Sequence, residues 1–291
     1  MTTEPRPSGE RPREVVLVDC PDEVGLIHRI TGVIERLRLN IESNQEFVDT
    51  SAGHFFFRAE VVPADGPVAA ADVAAGLEAV LPRTAHVRVT KVERRPIVIC
   101  ATREPHCLGE LLLLDACGEL PGRIEAVVSN HDLLRGLVER FGVPFHHVPH
   151  EGVSREAHEE QLRRAIDVHA PAYVVLARYM RVLSERFIDR YPSRIVNIHH
   201  SFLPAFAGAS PYRQAFGRGV KLIGATAHYV TPDLDEGPII EQDVARVDHS
   251  LSADDLTAVG RDVECVVLAR AVRWHVERRV LINGHKTVVF R

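Results

Sequence analysis

Five short apolar segments recur along residues 97–199, and each is separated from the next by a segment with helical periodicity. The apolar segments are residues 97–101, 124–129, 144–148, 173–178 and 194–199, and the helical patterns cover residues 107–116, 131–140, 154–169 and 182–190. Near-continuous apolar strands that alternate with helices are typical of a largely parallel sheet covered on both faces. This part of the chain therefore predicts an α/β domain whose ligands bind beyond the carboxyl ends of the strands.

Residues 14–92 follow a different pattern, in which short strands and two helices alternate in the order βαββαβ. The strands read VVLVDC, LNIESNQEFV, GHFFFRAEVV and HVRVTKV, and the helices read IHRITGVIERL and AADVAAGLEAVL. This order predicts a ferredoxin-like domain, a four-stranded antiparallel sheet with both helices on one face. The apolar residues that predict the buried face of the first helix are Ile27, Ile30, Val33, Ile34 and Leu37.

The change of pattern occurs at residues 93–96, Glu-Arg-Arg-Pro, which we interpret as a linker. Residues 14–92 and 97–291 are then two domains, which suits a length of 291 residues. Residues 1–13 are polar, rich in Pro and without an apolar segment, so we expect a disordered tail and not a signal peptide.

Composition and charge argue against several functions. The net charge of -5 is spread as mixed signs, which argues against nucleic-acid binding. No segment approaches the roughly 18 consecutive apolar residues of a membrane span, so no membrane role is expected. Five cysteines without a CxxC pair favour reduced thiols and a cytoplasmic protein. The histidines at 146–147 with His150, and at 199–200, lack metal-site spacing, so no metal is expected.

The last of the five apolar strands ends in polar residues, RIVNIHH. Asn197 and His199 are two residues apart and so project to the same side of an extended strand. An amide and an imidazole side by side are good donors to a developing oxyanion. They are also consistent with hydrogen-bonded polar groups of a core. Residues 203–208, Leu-Pro-Ala-Phe-Ala-Gly, predict a stiff loop beside this strand end.

A turn-rich acidic loop follows some thirty residues later, at residues 231–238, with the sequence TPDLDEGP. Its carboxylates are those of Asp233, Asp235 and Glu236, and one of them could lie beside His199. There it would orient the imidazole or take a proton from water, and partial desolvation of an Asp would raise its pKa. A solvated acidic loop without catalytic function is the alternative.

The motifs NIHHSFLPAF and DLDEGPIIEQD resemble those of formyltransferase-fold enzymes that use 10-formyltetrahydrofolate, and within them the formyltetrahydrofolate deformylase family. The segment DCPDEVGLIHRITGVIERLRLNI resembles the ACT family of small regulatory domains. The similarity covers residues 14–291, and an ACT domain followed by a formyltransferase domain is the order found in the deformylases. The resemblance implies an N-terminal ferredoxin-like ACT domain and a Rossmann-like formyltransferase domain.

The resemblance also implies an activity, the hydrolysis of 10-formyltetrahydrofolate to formate and tetrahydrofolate. This reaction would balance the one-carbon folate pool and supply formate for purine biosynthesis. Asn197 and His199 would hold the formyl oxygen, and Asp235, the second Asp of the D-L-D-x-G-P pattern, would be the general acid/base. The implied folate-binding residues are Tyr179, Met180, Arg181, Val182, Leu183, Thr231 and His106, with Arg181 near the folate tail. No cofactor is implied, because the folate is the substrate.

For the first domain, the resemblance implies an amino-acid effector site. It would be formed by Asp22, Val24, Gly25 and Leu26, where two ACT domains usually pair. The alternative is that this domain only drives oligomerisation. We expect a homodimer or a homotetramer.

Two other functions remain open at this stage. One is a formyltransferase that passes the formyl group to an amine acceptor such as a phosphate-bearing ribonucleotide. The loop at residues 101–107 has no glycine and carries Glu104 and Pro105, which hinders close approach of its backbone to a phosphate, and His106 would partly occupy that space. The other is a catalytically dead amino-acid sensor, against which the intact Asn197, His199 and Asp235 argue. An oxidoreductase is disfavoured, because no GxGxxG motif follows a strand.

Overall fold

The computed structural model describes residues 12–204 and 211–291, and they divide into two compact units. The first unit ends at Glu93 and also includes Phe290–Arg291, and the second unit is Arg94–Val289. Two predicted segments lie partly outside the described residues. They are the disordered tail, up to residue 11, and the stiff loop, at residues 205–208.

The first unit has the predicted element order. Its elements are β1 (Glu14–Pro21), α1 (Leu26–Arg36), β2 (Leu39–Asp49), β3 (His54–Pro63), α2 (Ala70–Glu78) and β4 (His86–Lys91). The strands form an antiparallel sheet in the order β2-β3-β1-β4. Both helices pack on one face, where Val18 of β1 and Phe57 of β3 share a core with Ile30 and Val73. The predicted ferredoxin-like ACT fold is confirmed.

The buried face of α1 differs slightly from the predicted one. Leu26, Ile30, Val33 and Ile34 are buried, whereas Ile27 is 45 % exposed. Successive helical residues are about 100° apart, so a stripe that begins at Leu26 leaves Ile27 at its edge. The inclusion of Ile27 in the buried face was therefore wrong.

The second unit contains the five predicted apolar strands and continues with further elements. Its elements are β5 (Arg95–Ala101), α3 (His106–Ala116), β6 (Gly122–Ser129), α4 (Arg135–Arg140), β7 (Phe145–His147), α5 (Arg155–Asp167), β8 (Tyr173–Ala177), α6 (Glu185–Ile188), β9 (Ile195–His199), α7 (Pro211–Arg218), β10 (Leu222–Tyr229), β11 (Ile239–Arg246), α8 (Ala253–Val276), β12 (Val280–Asn283) and β13 (Lys286–Val289). The last two strands pair as a separate hairpin.

The main sheet of this unit has the order β11-β10-β9-β8-β5-β6-β7. The strands from β5 to β9 pair in parallel, and β10 and β11 continue the sheet in the antiparallel sense. The predicted largely parallel sheet is confirmed. Because β10 runs antiparallel to β9, His228 pairs with Asn197 and Thr226 pairs with His199. This register places Asn197 and His199 of β9 beside His228 and Thr226 of β10.

Helix α8 covers the sheet and also contacts the short helix α7. It begins with a capping box, in which the Ser252 hydroxyl accepts from the Asp255 N–H and the Asp255 carboxylate accepts from the Ser252 N–H. At Gly260, an added Cβ would lie 2.2 Å from a ring carbon of Tyr212. Only glycine lets the Tyr212 ring come this close to α8.

None of the helices within the described part of the chain combines the length and hydrophobicity that a membrane-spanning segment requires.

Candidate active site

A cavity of about 670 Å³ lies beside the carboxyl ends of β8 and β9, within the size range of small-molecule sites. It brings together residues that are far apart in the sequence. Its lining includes Tyr179, Met180, Arg181, Val182 and Leu183 after β8, Asn197 and His199 on β9, and Thr231 and Asp235 in the acidic loop. Of the residues predicted for catalysis and folate binding, His106 alone is outside this lining.

Asp235 is the carboxylate of the acidic loop that contacts His199. Its Oδ2 lies 3.2 Å from His199 Nδ1, and its Oδ1 lies 3.7 Å from His228 Nε2. The hydrogen bond from His199 lowers the pKa of Asp235, and this effect outweighs the opposing effect of burial. Asp235 is therefore ionised at neutral pH. The expectation of a raised pKa was wrong, because the imidazole stabilises the charged form more than partial desolvation destabilises it.

The backbone of the loop holds Asp235 in an uncommon conformation. Asp235 has φ of 60°, in the left-handed region that few residues other than glycine adopt. Two residues later, an added Cβ on Gly237 would lie 1.7 Å from the Tyr229 carbonyl oxygen. The Tyr229 N–H donates to the Pro238 carbonyl at 3.0 Å, so the loop lies directly against the end of β10. This packing determines where the Asp235 carboxylate is held.

His228 orients Asn197. The His228 Nδ1 lies 2.9 Å from the Tyr229 carbonyl oxygen and must carry the hydrogen that this acceptor requires. Burial lowers the pKa of His228, so the ring is neutral and its Nε2 accepts from the Asn197 amide nitrogen at 3.1 Å. The second amide hydrogen of Asn197 is then left for another acceptor. Sequence reasoning missed this role of His228, although a polar residue that ends an apolar strand is the same signal as at β9.

His199 has one ring nitrogen without a hydrogen-bond partner among the residues the structure describes. Its side chain is 7 % exposed, its Nδ1 faces Asp235, and its Nε2 is buried without a hydrogen-bond partner there. Buried polar atoms are nearly always hydrogen-bonded, so an exception calls for a ligand or water. With Nδ1–H donating to Asp235, Nε2 of a neutral His199 accepts a hydrogen bond and the second amide hydrogen of Asn197 donates one, so together they suit the oxygen of a water or hydroxyl group.

Comparison with known proteins shows the family. The formyl transferase family model matches residues 95–272, and the ACT domain model matches residues 15–78. The formyltetrahydrofolate deformylase of Escherichia coli is 50 % identical over 277 residues, covering 95 % of this chain and 98 % of that protein. The chain belongs to the formyltetrahydrofolate deformylase family. The crystal structure of a formyltetrahydrofolate deformylase from Pseudomonas syringae pv. tomato matches with a TM-score of 0.93 and 39 % identity, over 98 % of this chain and 96 % of that one.

Formyltransferases of the same fold match only the second part of this deformylase-family chain. The structure of glycinamide ribonucleotide transformylase 1 from Symbiobacterium toebii matches with a TM-score of 0.65 and 31 % identity, over 68 % of this chain and 95 % of that one. The deformylase matches extend across both units. The presence of the ACT unit therefore distinguishes this family member from the transformylase.

His106, which was predicted to bind the folate, contacts a residue that sequence reasoning missed. Its Nε2 lies 2.8 Å from Glu264 Oε2 on α8. Atoms of His106, Cys107 and Glu264 lie within 4.8 Å of one another, an arrangement that could hold a metal ion. However, Arg178 Nε lies 3.4 Å from the same Glu264 oxygen, and its positive charge opposes a cation. A hydrogen bond to Cys265 and burial both raise the pKa of Cys107, which further disfavours a thiolate ligand.

The predicted effector residues of the ACT unit lie at the start of α1. Asp22, Val24 and Gly25 are exposed, whereas Leu26 belongs to the core. The Asp22 N–H donates to the Gly53 carbonyl at 2.8 Å, and Gly25 precedes the helix with φ of 89°. The assignment of an effector to this turn stays a prediction.

Proposed function

We propose that this chain hydrolyses 10-formyltetrahydrofolate to formate and tetrahydrofolate, and that Asn197, His199 and Asp235 carry out the reaction. The observation that carries the proposal is the contact of the ionised Asp235 with His199 Nδ1 at the wall of the cavity. Membership of the deformylase family supports the substrate and the reaction. In this proposal His199 and Asp235 supply the acid–base chemistry, and the folate is a substrate and not a cofactor.

The acid–base chemistry follows from the two nitrogens of His199. We propose that Nε2 takes a proton from water while the Asp235 carboxylate, hydrogen-bonded to Nδ1–H, stabilises the imidazolium. The water oxygen attacks the formyl carbon, and the bond from that carbon to N10 of the folate breaks. The proton on His199 Nε2 passes to N10, the second proton of the water is lost to solvent as formic acid ionises, and formate and tetrahydrofolate leave. General acid–base catalysis of this kind contributes about 100-fold to 10,000-fold to a rate.

The oxyanion of the tetrahedral intermediate requires hydrogen-bond donors, of which the Asn197 amide is in place before the reaction and His199 Nε2 becomes one when it takes the proton from water. The Asn197 amide is held by neutral His228 and keeps one N–H for this purpose, and protonated His199 supplies the second donor. Loss of one such donor costs roughly 100-fold to 1000-fold in kcat. His228 is thus a positioning residue, because it acts through Asn197.

Exposed apolar side chains in the cavity support a pocket for the pterin ring. Met180 and Val182 are each 57 % exposed, and Leu234 in the acidic loop is 64 % exposed. The Met180 N–H donates to the Thr102 hydroxyl at 3.0 Å, which fixes this segment at the end of β8. A flat heteroaromatic ring would cover these side chains and gain apolar contact. Arg181, in the same segment, is suited to the carboxylates of the folate tail.

We further propose that the reaction balances the one-carbon folate pool and supplies formate for purine biosynthesis.

In the ACT unit, the turn from Asp22 to Leu26 is the proposed site of an amino-acid effector. An effector of this kind would change activity by a coupling free energy of about 1–3 kcal/mol. We propose a homodimer or homotetramer that pairs through the ACT units.

The proposal is tested by formate release from 10-formyltetrahydrofolate without any acceptor. Asn197→Ala and His199→Ala should each reduce kcat by at least about 100-fold, because each removes an oxyanion donor. His147→Ala is the matched control, since this histidine is partly exposed and is not part of the cavity lining. A wild-type protein that releases no formate, or an Asn197→Ala variant with unchanged kcat, would contradict the proposal.

A further inference from the structure

The buried carboxylate of Glu264 joins four elements at the carboxyl edge of the main sheet. Glu264 on α8 is 1 % exposed. Its Oε1 accepts from the Tyr212 hydroxyl of α7 at 2.6 Å. Its Oε2 lies 2.8 Å from His106 Nε2, at the start of α3, and 3.4 Å from Arg178 Nε, just after β8. Both oxygens of the carboxylate are therefore engaged by protein groups.

The carboxylate is ionised despite its burial. Burial opposes ionisation, but the hydrogen bond from His106, the charge of Arg178 and the Tyr212 hydroxyl together lower the pKa of Glu264. Removal of one member of a buried charged pair leaves the other uncompensated, at a large cost. The four side chains thus form a charged cluster, which we call the Glu264 cluster: His106, Arg178, Tyr212 and Glu264.

The Glu264 cluster separates the active-site cavity from the end of β5. Arg178 and Tyr212 line the cavity, whereas Glu264 and His106 do not. His106 Nδ1 lies 3.8 Å from Glu104, in the loop that follows β5. Glu104 in turn accepts from Arg261 of α8 at 2.8 Å. These contacts connect the loop and the start of α3 to α8. Arg178 and Tyr212 lie between these contacts and the cavity.

The position of the cluster matters for the choice of nucleophile. In an open α/β sheet, ligands bind along the crevice at the carboxyl ends of the strands. The cavity beside β8 and β9 is the proposed folate site, so an amine acceptor would have to approach along the part of the crevice beyond β5. The start of α3 is there, and a helix start is the usual place for a phosphate group. In this chain, His106 is the first residue of α3, and its side chain contacts the Glu264 carboxylate there.

We propose that the Glu264 cluster determines the nucleophile, because it blocks the approach beyond β5 that an amine acceptor would need. The inference rests on the proposed hydrolysis. It identifies the side chains that keep an amine from replacing water as the nucleophile. In the competing reaction, an amine nitrogen attacks the formyl carbon, the carbon–N10 bond breaks, and the proton lost by the amine passes to N10. The products are an N-formyl amine and tetrahydrofolate. The same His199 and Asp235 serve both reactions, so access decides between them.

The inference is tested by the product ratio with glycinamide as a small primary amine. Wild type, His106→Ala and His106→Ala/Glu264→Ala receive 10-formyltetrahydrofolate labelled in the formyl group, with and without glycinamide. N-formylglycinamide and formate are then separated and counted. We expect wild type to make formate with at most a trace of N-formylglycinamide, and the double variant to raise the ratio of N-formylglycinamide to formate at least about tenfold, with an intermediate value for His106→Ala.

The control is His158→Ala, which removes another buried histidine from the same unit, one that contacts the Val148 carbonyl and lies outside the cavity lining. Its product ratio should equal that of wild type. The control thus distinguishes a general loosening of the fold from an opened approach of the amine to the formyl carbon. A folded His106→Ala or double variant that makes formate with an unchanged ratio would overturn the inference and leave the proposed hydrolysis intact. N-formylglycinamide from wild type at a rate similar to that of formate would overturn it whether or not the variants fold. Absence of formate from wild type would instead contradict the proposed hydrolysis.

Discussion

The Gly237→Ala variant should move Asp235 while leaving its carboxylate unchanged, and so tests the effect of position alone. An added Cβ at residue 237 would lie 1.7 Å from the Tyr229 carbonyl oxygen, and such carbons do not approach an oxygen within 3.0 Å. The loop must therefore move by about 1.3 Å, the difference between these two distances. Asp235, two residues away, would shift relative to His199. A misplacement of about 1 Å costs on the order of 100-fold in rate, so we expect kcat for formate release to fall by about that factor.

The assay is steady-state formate release, combined with folate binding measured by fluorescence quenching. Gly136→Ala is the matched control, because an added Cβ there meets nothing within 4 Å and its backbone is helical. This control should leave kcat unchanged and stabilise the fold by roughly 0.5–1 kcal/mol. A folded Gly237→Ala variant with kcat within threefold of wild type would refute the argument that the packing of this loop on β10 positions Asp235.

Three further predictions follow from the site, the buried histidines and the ACT unit. His228→Leu removes the acceptor that holds Asn197, so kcat should fall by roughly tenfold or more with little change in KM, and an unchanged kcat would disprove the positioning role. Burial lowers the pKa of His200 to about 4 and that of His275 to about 3, so both stay neutral in the folded protein while the unfolded chain takes up protons below pH 6.5. Stability present above pH 6.5 should therefore be lost as pH falls, by about 3 kcal/mol for the two groups between pH 6.5 and 5. Urea unfolding at both pH values measures this loss, and His275→Leu should halve the dependence. Light scattering should give at least twice the mass of one chain at micromolar concentration, whereas a monomer would contradict pairing through the ACT units.

The sequence was sufficient to predict the local parts of the fold. The strands of the second unit are near-continuous apolar runs because both faces of the sheet are covered, and this pattern is visible in a single chain. The βαββαβ order of the first unit is equally local. The polar end of β9 was likewise visible as amide and imidazole side chains at the end of a buried strand. All of these signals depend on neighbours within one element.

The parts that could not be predicted depend on contacts between distant elements. The pairing of His228 with Asn197 is set by the antiparallel register of β10 and β9. In the sequence Glu264 looks like one more charged residue of an amphipathic helix, and its burial depends on partners from three other elements. The direction of the pKa shift of Asp235 depends on its 3.2 Å contact with His199, a distance that no sequence pattern contains.

The most direct test of the central claim is formate release by wild type and by Asp235→Asn, with folate binding measured on the same samples. The amide keeps the size of the side chain but cannot stabilise the His199 imidazolium. The account predicts that wild type releases formate without an acceptor and that Asp235→Asn binds folate while its kcat falls by about 100-fold to 10,000-fold. Formate release by Asp235→Asn at the wild-type rate would contradict it.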